Sequence, residues 1–340
     1  MTGLVTVFLI ALISVAVLAC AGEADLNGGS EPETGVITGI QLQVPAAGSL
    51  QNPAWSPDGR EVLLTRFRSG YNSGPSDLLV YNLDTGEVRT LVADGSENVN
   101  LPGSSWNRVT RQVIFSSSRG LHDEIYIIDV SGSGEEATRV TDRGDRMAYE
   151  PSLAPDGKEV VFESHRVDVE ENGVITTFSL DGSGNYRTLT PEEDDCRQPN
   201  WSPGGVLIVY QALEGGQWDL WLTDRGSGKR RRLTSEPGDE TDASFSPDGQ
   251  RIVYSYDDPD TEAAELFIIP VSGGEPERIT VSGGYHGAPS WSPDGSRIAF
   301  EAAAEGDPDD SSGTVIRVIT LSAGWMTLHR RMEADHLRGF

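Results

Sequence analysis

Five histidines are the first candidates for chemistry in this 340-residue sequence, because imidazole binds metals and exchanges protons near neutral pH. Two of them, His165 and His286, could ligate a metal together with Glu150 or Asp242 if the fold brings these side chains together. Such a group would suit a metal-assisted lyase or hydrolase. No motif in the sequence calls for a bound cofactor, so none is predicted, and the elements that position the histidines decide whether they meet.

The two cysteines, Cys20 and Cys196, form no CxxC pair, which excludes a thiolate zinc site. Cys20 ends the string Val-Leu-Ala-Cys after an apolar run over residues 4–19, which is short for a spanning helix and suits a secretory segment. The string resembles the lipobox of bacterial and archaeal lipoproteins, in which the cysteine carries lipid. We therefore predict a signal peptide over 1–19, lipid on Cys20 and a Gly-containing tether over 20–37.

Two alternatives for this segment stay open, since no Lys or Arg precedes the apolar run as a signal peptide normally requires. One is an uncleaved anchor and the other is an ordinary signal peptide. All three interpretations export the body of the protein. The expected location is therefore the cell envelope, either periplasmic or at the cell surface.

The sequence is strongly acidic, with 53 Asp and Glu against 26 Lys and Arg and a formal net charge of −27. A nucleic-acid binder needs a basic footprint, so nucleic acid is excluded as a partner. The 39 glycines and 19 prolines also indicate frequent chain reversals, which helical bundles do not need.

A twelve-residue motif occurs in six copies and is the strongest pattern in the sequence. The first copy, PAWSPDGREVLL at 53–64, is similar to the last, PSWSPDGSRIAF at 289–300. We call the large apolar residue at its third position the anchor. The six anchors are Trp55, Trp106, Leu153, Trp201, Phe245 and Trp291. They are 51, 47, 48, 44 and 46 residues apart, a period typical of propeller blades with four strands.

Each copy is predicted to form four short strands, with a Ser-Pro-Asp-Gly turn after the first and a Gly-rich turn after the third. We therefore predict an all-β fold, a six-bladed propeller of four-stranded antiparallel blades over residues 38–321. The stretch 38–44 aligns with the fourth strands and should complete blade six, which leaves no open sheet edge. The alternative is that 325–330 provides that strand; otherwise 322–340 is a C-terminal tail.

The six motifs resemble the repeat of TolB-type, WD-repeat-like propellers, which also occurs in the propeller halves of prolyl oligopeptidases and dipeptidyl peptidases. The resemblance covers residues 38 to 321 and implies the propeller fold. It implies little about function, because propellers host both binding and catalysis. The peptidases of this group also carry a hydrolase domain, and the G-x-S-x-G nucleophile motif of that domain is absent from the sequence.

The predicted topology places the loops between second and third strands on one side of the propeller, here called the long-loop face, and the Ser-Pro-Asp-Gly turns on the opposite turn face. The long loops vary between blades, which is typical of a functional surface. Positions three and five residues before each anchor should surround the channel mouth on that face. The polar residues among them that we select as a binding site are Asn52, Glu150, Gln198, Asp242 and His286.

Three arginines, Arg68, Arg119 and Arg166, occupy one equivalent loop slot in blades one to three, whereas Glu214, Asp258 and Ala304 occupy it in blades four to six. One half of the rim is therefore expected to be basic, and we include the three arginines in the predicted site as an anchor for an anionic group. The alternative is that they pair with neighbouring acids.

These features favour a non-catalytic, envelope-anchored module that binds a protein or a cell-wall component, with membrane attachment through Cys20. The first alternative is an exported propeller enzyme of the polysaccharide lyase or lactonase type, with its active site at the channel mouth. The second is a scaffold or sensor that acts only with a partner chain. Catalytic residues and a metal site are not assigned.

The lipobox-like string yields a prediction about the mature N-terminus. Mass spectrometry of the protein from its native envelope should find a chain that starts at a lipidated Cys20, because the cysteine of the lipobox that this string resembles is lipidated and becomes the mature N-terminus. The Cys20→Ser variant should lose the lipid mass and leave the membrane fraction. An unmodified Cys20, or cleavage at another position, contradicts the prediction.

Overall fold

The computed structural model describes residues 39–45, 47–93, 99–100, 106–107, 110–131, 137–261, 263–280, 284–304 and 313–322. Within these ranges the chain forms strands and turns without a helix, arranged as six four-stranded antiparallel sheets. The all-β, six-bladed propeller is therefore confirmed. In the same ranges no helix has the length and apolar character needed to cross a membrane.

Blades one to five each use four consecutive strands, and blade six combines three strands with the first strand of the chain. Blades one to three comprise β2 Ser49–Trp55, β3 Glu61–Phe67, β4 Ser76–Asn82, β5 Val88–Ala93; β6 Val99–Asn100, β7 Gln112–Ser117, β8 Glu124–Asp129, β9 Thr138–Arg139; and β10 Arg146–Leu153, β11 Glu159–Arg166, β12 Val169–Ser179, β13 Tyr186–Thr188. Blades four to six comprise β14 Asp195–Trp201, β15 Leu207–Glu214, β16 Gln217–Asp224, β17 Arg230–Arg232; β18 Asp239–Phe245, β19 Arg251–Asp258, β20 Ala263–Pro270, β21 Glu277–Arg278; and β22 His286–Trp291, β23 Arg297–Ala303, β24 Thr314–Thr320, β1 Gly39–Gln41.

The ring is closed by its N-terminal strand, as the sequence predicts. Strand β1 pairs antiparallel with β24, with Gly39 opposite Ile319 and Gln41 opposite Arg317. Leu42 continues the ladder through a 2.9 Å hydrogen bond from its N–H to the carbonyl of Ile316. Its side chain is buried in the core between blades six and one. The alternative closing strand, 325–330, and the predicted segments 1–19 and 322–340 lie wholly or largely outside the described residues.

The hydrophobic core is divided into six clusters, each of which lies between two neighbouring blades. Every cluster contains one of the six anchors, and all six anchors are buried. The indole N–H of Trp55 also donates to the carbonyl of Ser290 in blade six at 3.1 Å, and that of Trp106 donates to the carbonyl of Ala54 at 3.0 Å. The anchors therefore act as wedges that join the blades into a ring.

The Ser-Pro-Asp-Gly motifs form the turns that the sequence indicates. In blade one the hydroxyl of Ser56 donates to Asp58 at 2.7 Å and accepts the N–H of Glu61 at 2.9 Å, while Gly59 adopts a φ of 71°. Blade two lacks the motif, and there the side chain of Asn107 accepts the N–H of Thr110 at 3.0 Å. The aspartates of these turns therefore have a structural role.

Removal of the closing strand should destabilise the whole propeller, because it exposes the edge of β24 and the apolar surface under Leu42. A variant that begins at residue 46 should unfold at a clearly lower temperature than one that begins at residue 39, which retains β1. Differential scanning calorimetry makes the comparison. Equal melting temperatures would show that β1 contributes nothing to closure.

Candidate functional site

The first strand of each described blade is interrupted at the same position, three residues before the anchor. A β-bulge lies there, and the residue at this position has a left-handed backbone conformation that non-glycine residues rarely adopt. The φ values are 51° for Asn52, 48° for Glu150, 51° for Gln198, 55° for Asp242 and 44° for Ala288. Blade two has Gly103 at this position, outside the described residues. Each such conformation costs about 1–2 kcal/mol in an L-residue, so the surrounding structure must hold it in place.

A polar side chain from the neighbouring blade holds the bulge. The N–H of Asn52 donates to Glu301 at 2.7 Å, and the N–H of Gln198 donates to Glu163 at 3.1 Å. Glu301 and Glu163 are both ten residues after an anchor, on the second strand of their blades, and both are buried. We call the residues at this position the clasp residues.

The clasp residues were missed by the sequence analysis. They are Thr65, Ser116, Glu163, Gln211, Ser255 and Glu301, and all six are buried. Glu163, Gln211 and Glu301 accept the N–H of a left-handed residue. A column of polar residues inside otherwise apolar second strands was the signal that could have identified them.

The left-handed residues surround a cavity of about 380 Å³ at the channel entrance on the long-loop face. We call this cavity the mouth. Its wall is formed by Gln51, Asn52, Phe67, Tyr71, Asn72, Asp123, Tyr149, Glu150, Gln198, Asp242, Tyr285, Ala288 and Glu301. The structure thus brings together four residues of the predicted site, Asn52, Glu150, Gln198 and Asp242. Their role in binding stays a prediction.

Burial and like charge raise the pKa values of the mouth carboxyl groups. Burial raises the pKa of Glu301 to about 8, opposed by the hydrogen bond from Asn52 and reinforced by the charge of Asp242. Burial also raises the pKa of Asp242, and burial together with the charges of Glu163 and Asp242 raises that of Glu150 well above its ordinary value. The mouth therefore gathers carboxyl groups whose ionised forms are disfavoured by burial and by neighbouring negative charge.

Two tyrosines connect blades one and six across the mouth. The hydroxyl groups of Tyr71 and Tyr285 are 3.0 Å apart, and their rings meet edge to face with centroids 5.8 Å apart. Tyr285 also donates a long 3.4 Å hydrogen bond to Glu301. Gly287 permits this arrangement, because a Cβ atom there would lie 2.1 Å from the Tyr285 hydroxyl oxygen. Neither tyrosine was part of the predicted site.

The structure does not place His286 in the wall of the mouth. Its side chain is buried between blades, with Nδ1 2.9 Å from Glu265 and the ring in edge contact with Phe300. The reason is the bulge, which breaks the rule that residues two apart on a strand share one face. The same column holds Leu50 and Cys196 in other blades, and both lie in core clusters.

The three arginines of the predicted site make local contacts within their own blades. Arg68 and Arg66 both pair with the buried carboxylate of Asp77, and Arg166 pairs with Asp168 at 2.9 Å. The guanidinium of Arg119 lies over the ring of Tyr126, 4.7 Å from its centroid. The local pairing that we considered as an alternative therefore describes Arg68 and Arg166, and the three arginines are not among the residues that line the mouth.

The hypothetical metal group is not assembled. His165 contacts Glu163 at 2.6 Å in blade three, whereas His286 contacts Glu265 between blades five and six. Across the described part of the chain, no three His, Cys, Asp or Glu residues come together in a way that could hold a metal ion.

The raised pKa of Glu301 makes stability depend on pH. Between its ordinary value of about 4.5 and about 8, the folded protein binds a proton at Glu301 that the unfolded chain has lost. This contribution is complete below about pH 4.5 and is lost as pH rises through about 8. The Glu301→Gln variant keeps an acceptor for Asn52 but cannot ionise, so its melting temperature should fall less between pH 5 and pH 9 than that of the wild type. The exposed Glu87→Gln variant is the control, and parallel curves for Glu301→Gln and wild type would refute the assignment.

Comparison with known families agrees with the fold. The TolB beta propeller domain matches residues 36–224, more than half of the chain, and the Tricorn protease N-terminal beta propeller domain matches residues 216–320. The Tol-Pal system protein TolB of Francisella tularensis subsp. mediasiatica is 31% identical over 161 residues, which are 47% of this chain and 34% of that protein. The chain thus spans about a third of the length of this curated relative.

Solved structures show the same propeller at low sequence identity. TolB from Acinetobacter baumannii superposes with a TM-score of 0.58 at 18% identity, covering 81% of this chain and 64% of that chain. Oligogalacturonate lyase from Vibrio parahaemolyticus superposes with a TM-score of 0.55 at 14% identity, covering 86% and 96%. These solved structures are similar to this chain in fold only. The match of residues 36–224 to the TolB beta propeller domain, in contrast, rests on the amino-acid sequence. The chain belongs to the TolB β-propeller family.

Proposed function

We propose that this chain is a non-catalytic binding module of the cell envelope and that it captures a protein partner at the mouth on its long-loop face. One observation carries the proposal. Equivalent positions of a repeat carry Asn52, Glu150, Gln198, Asp242 and Ala288, all in the same strained conformation and all facing one cavity. Packing alone would favour similar residues at equivalent positions, whereas a single partner without six-fold symmetry needs different ones.

Exposed apolar side chains on the rim support a protein as the partner. Tyr71, Leu121, Val167 and Leu213 lie in or beside the loops after the second strands of blades one to four, and Leu121 is 89% exposed. Apolar groups around a polar cavity are typical of surfaces that bind other proteins. The relative from Francisella tularensis is named as a component of the Tol-Pal system, which is consistent with an envelope protein as the partner.

Export and anchoring belong to the same proposal and rest on the N-terminal sequence. Lipid on Cys20 would hold the chain at a membrane, and the tether over 20–37 would let the propeller reach partners near it.

An enzyme of the lyase type is the second candidate, and Glu301 is the observation that favours it. A carboxyl group with a pKa of about 8 keeps a proton near neutral pH and could act as a general acid, with Tyr285 beside it. The similarity to oligogalacturonate lyase concerns the fold and does not extend to this activity. Turnover of an oligogalacturonate that is abolished in Glu301→Gln would favour this candidate over the binding module.

Paired variants on the two faces test the binding proposal. Leu121→Arg combined with Val167→Arg places charge on the rim, whereas Ile40→Arg combined with Val206→Arg makes the same change at exposed apolar residues away from it. Tagged protein is isolated from producing cells after chemical cross-linking, and the captured partner is quantified by mass spectrometry. We expect the rim variant to lose about tenfold in capture, since desolvated apolar contacts dominate such interfaces, and the control to match the wild type. Loss of capture in the control alone would place the interface elsewhere.

A further inference from the structure

The mouth has a composition that selects the sign of its ligand. Its wall includes four carboxyl residues, Asp123, Glu150, Asp242 and Glu301, and four aromatic residues, Phe67, Tyr71, Tyr149 and Tyr285. Among the described residues that form the wall, none is Lys, Arg or His. This acidic composition of the wall contrasts with the basic half-rim expected from the sequence. The arginines of that half-rim are engaged with local acids and an aromatic ring.

The carboxyl groups of the mouth have acceptor capacity that the protein leaves unused. Oε2 of Glu150 is buried and has no hydrogen-bond partner within the part of the chain that the structure describes, and Oε1 accepts a long 3.4 Å bond from Gln198. Asp242 accepts the N–H of Ala288 through Oδ2 at 3.0 Å. An ionised carboxylate only accepts hydrogen bonds, so a donor that enters the mouth would satisfy Glu150.

A cation is the donor that suits this site best. Its charge would counter the burial that raises the pKa of Asp242, and the burial and repulsion that raise the pKa of Glu150, and would draw both groups into their ionised form. The rings of Tyr71 and Tyr285 can contact the aliphatic stem of a Lys or Arg side chain and lie near its charge. The volume of about 380 Å³ is at the lower end for ligand pockets, which suits one long side chain rather than a folded domain.

We propose that the mouth recognises a Lys or Arg side chain in an extended segment of a partner protein, held between the carboxyl groups of Glu150, Asp242 and Glu301 and the rings of Tyr71 and Tyr285. This inference rests on the proposed function, whose partner it specifies. The rest of the segment would lie on the apolar rim at Leu121 and Val167, which is why a protein fits better than a free amine. The ion pairs formed in the mouth would make the affinity for such a segment fall as salt rises.

Three blocked amino acids of different charge test the selectivity of the mouth in the full chain. The compounds are Nα-acetyl-arginine amide, Nα-acetyl-norleucine amide and Nα-acetyl-glutamate amide, and binding is followed by isothermal titration calorimetry. We expect the arginine compound to bind at least about tenfold more tightly than the norleucine compound, and the glutamate compound not to saturate, because only the cation makes charge-assisted bonds. Equal or tighter binding of the norleucine or glutamate compound would overturn the inference.

Charge-neutral variants place the binding in the mouth. Glu150→Gln combined with Asp242→Asn keeps side-chain shape and should lower the affinity for the arginine compound at least about tenfold. Asp239→Asn combined with Asp258→Asn is the matched control, since these acids line a neighbouring groove on the same face, and it should change the affinity less than about twofold. An equal loss in both variants would indicate a general field and overturn the site.

A second variant covers the case in which the double replacement unfolds. Tyr71 is 41% exposed, so Tyr71→Ala should fold normally and still weaken binding of the arginine compound by about threefold through loss of the ring contact.

Calcium chloride is titrated into the protein alone and in competition with the arginine compound. Tight calcium binding that excludes the arginine compound, and that Glu150→Gln with Asp242→Asn abolishes, would identify a metal site and overturn the inference.

Partner capture separates failure of this inference from failure of the proposed function. If the rim variant Leu121→Arg with Val167→Arg loses the partner but Glu150→Gln with Asp242→Asn retains it, the binding module stands and the cationic segment is refuted. If neither variant loses the partner, the proposed function fails as well.

Discussion

The bulge three residues before each anchor is the constraint on which the site depends. In blade one and in blades three to six it turns one residue into the left-handed region and directs that residue toward the central channel. A polar side chain of the adjacent blade accepts the N–H of the strained residue: Glu301 does so for Asn52, Glu163 for Gln198 and Asp242 for Ala288. Packing between blades and the shape of the mouth are thus coupled, since the mouth exists only while neighbouring blades stay in register.

The propeller itself was predictable because its determinants are local and repeated. The anchors, the Ser-Pro-Asp-Gly turns and the alternation of short strands appear in every copy or nearly every copy, so the period identifies the blade. Closure by β1 was also predictable, because a stretch similar to the fourth strands stands before the first complete copy. Blade two shows how little the fold depends on one turn, since Asn107 replaces the motif with a different hydrogen bond.

The site was predictable only where position along the repeat determines direction. Asn52, Glu150, Gln198 and Asp242 occupy one repeat position and all reach the mouth. His286, two residues before this position in blade six, does not reach the mouth. The bulge that follows it changes the direction of the strand, and sequence spacing does not reveal that bulge. Tyr71 and Tyr285 come from loops of blades one and six, and their meeting depends on ring closure, which no local pattern reveals.

Charge shows the same limit of prediction from sequence. The row of Arg68, Arg119 and Arg166 suggested a basic half-rim, yet Asp77 and Asp168 neutralise two of these residues at short range. The described residues in the wall of the mouth include four acids and no Lys, Arg or His, so the channel opening gathers carboxyl groups without basic neighbours in the wall. The composition indicates only that the whole chain is acidic and does not show where such acids meet.

Site-specific photocross-linking in producing cells tests the central claim most directly. A benzophenone amino acid is placed at position 71, beside the mouth, and separately at position 206 on the turn face, and adducts are compared after irradiation. If a partner protein binds at the mouth, we expect a discrete adduct with one partner at position 71 and no such adduct at position 206. The yield at position 71 should fall when Glu150→Gln and Asp242→Asn are also present. A discrete adduct from position 206 with none from position 71 would contradict the claim.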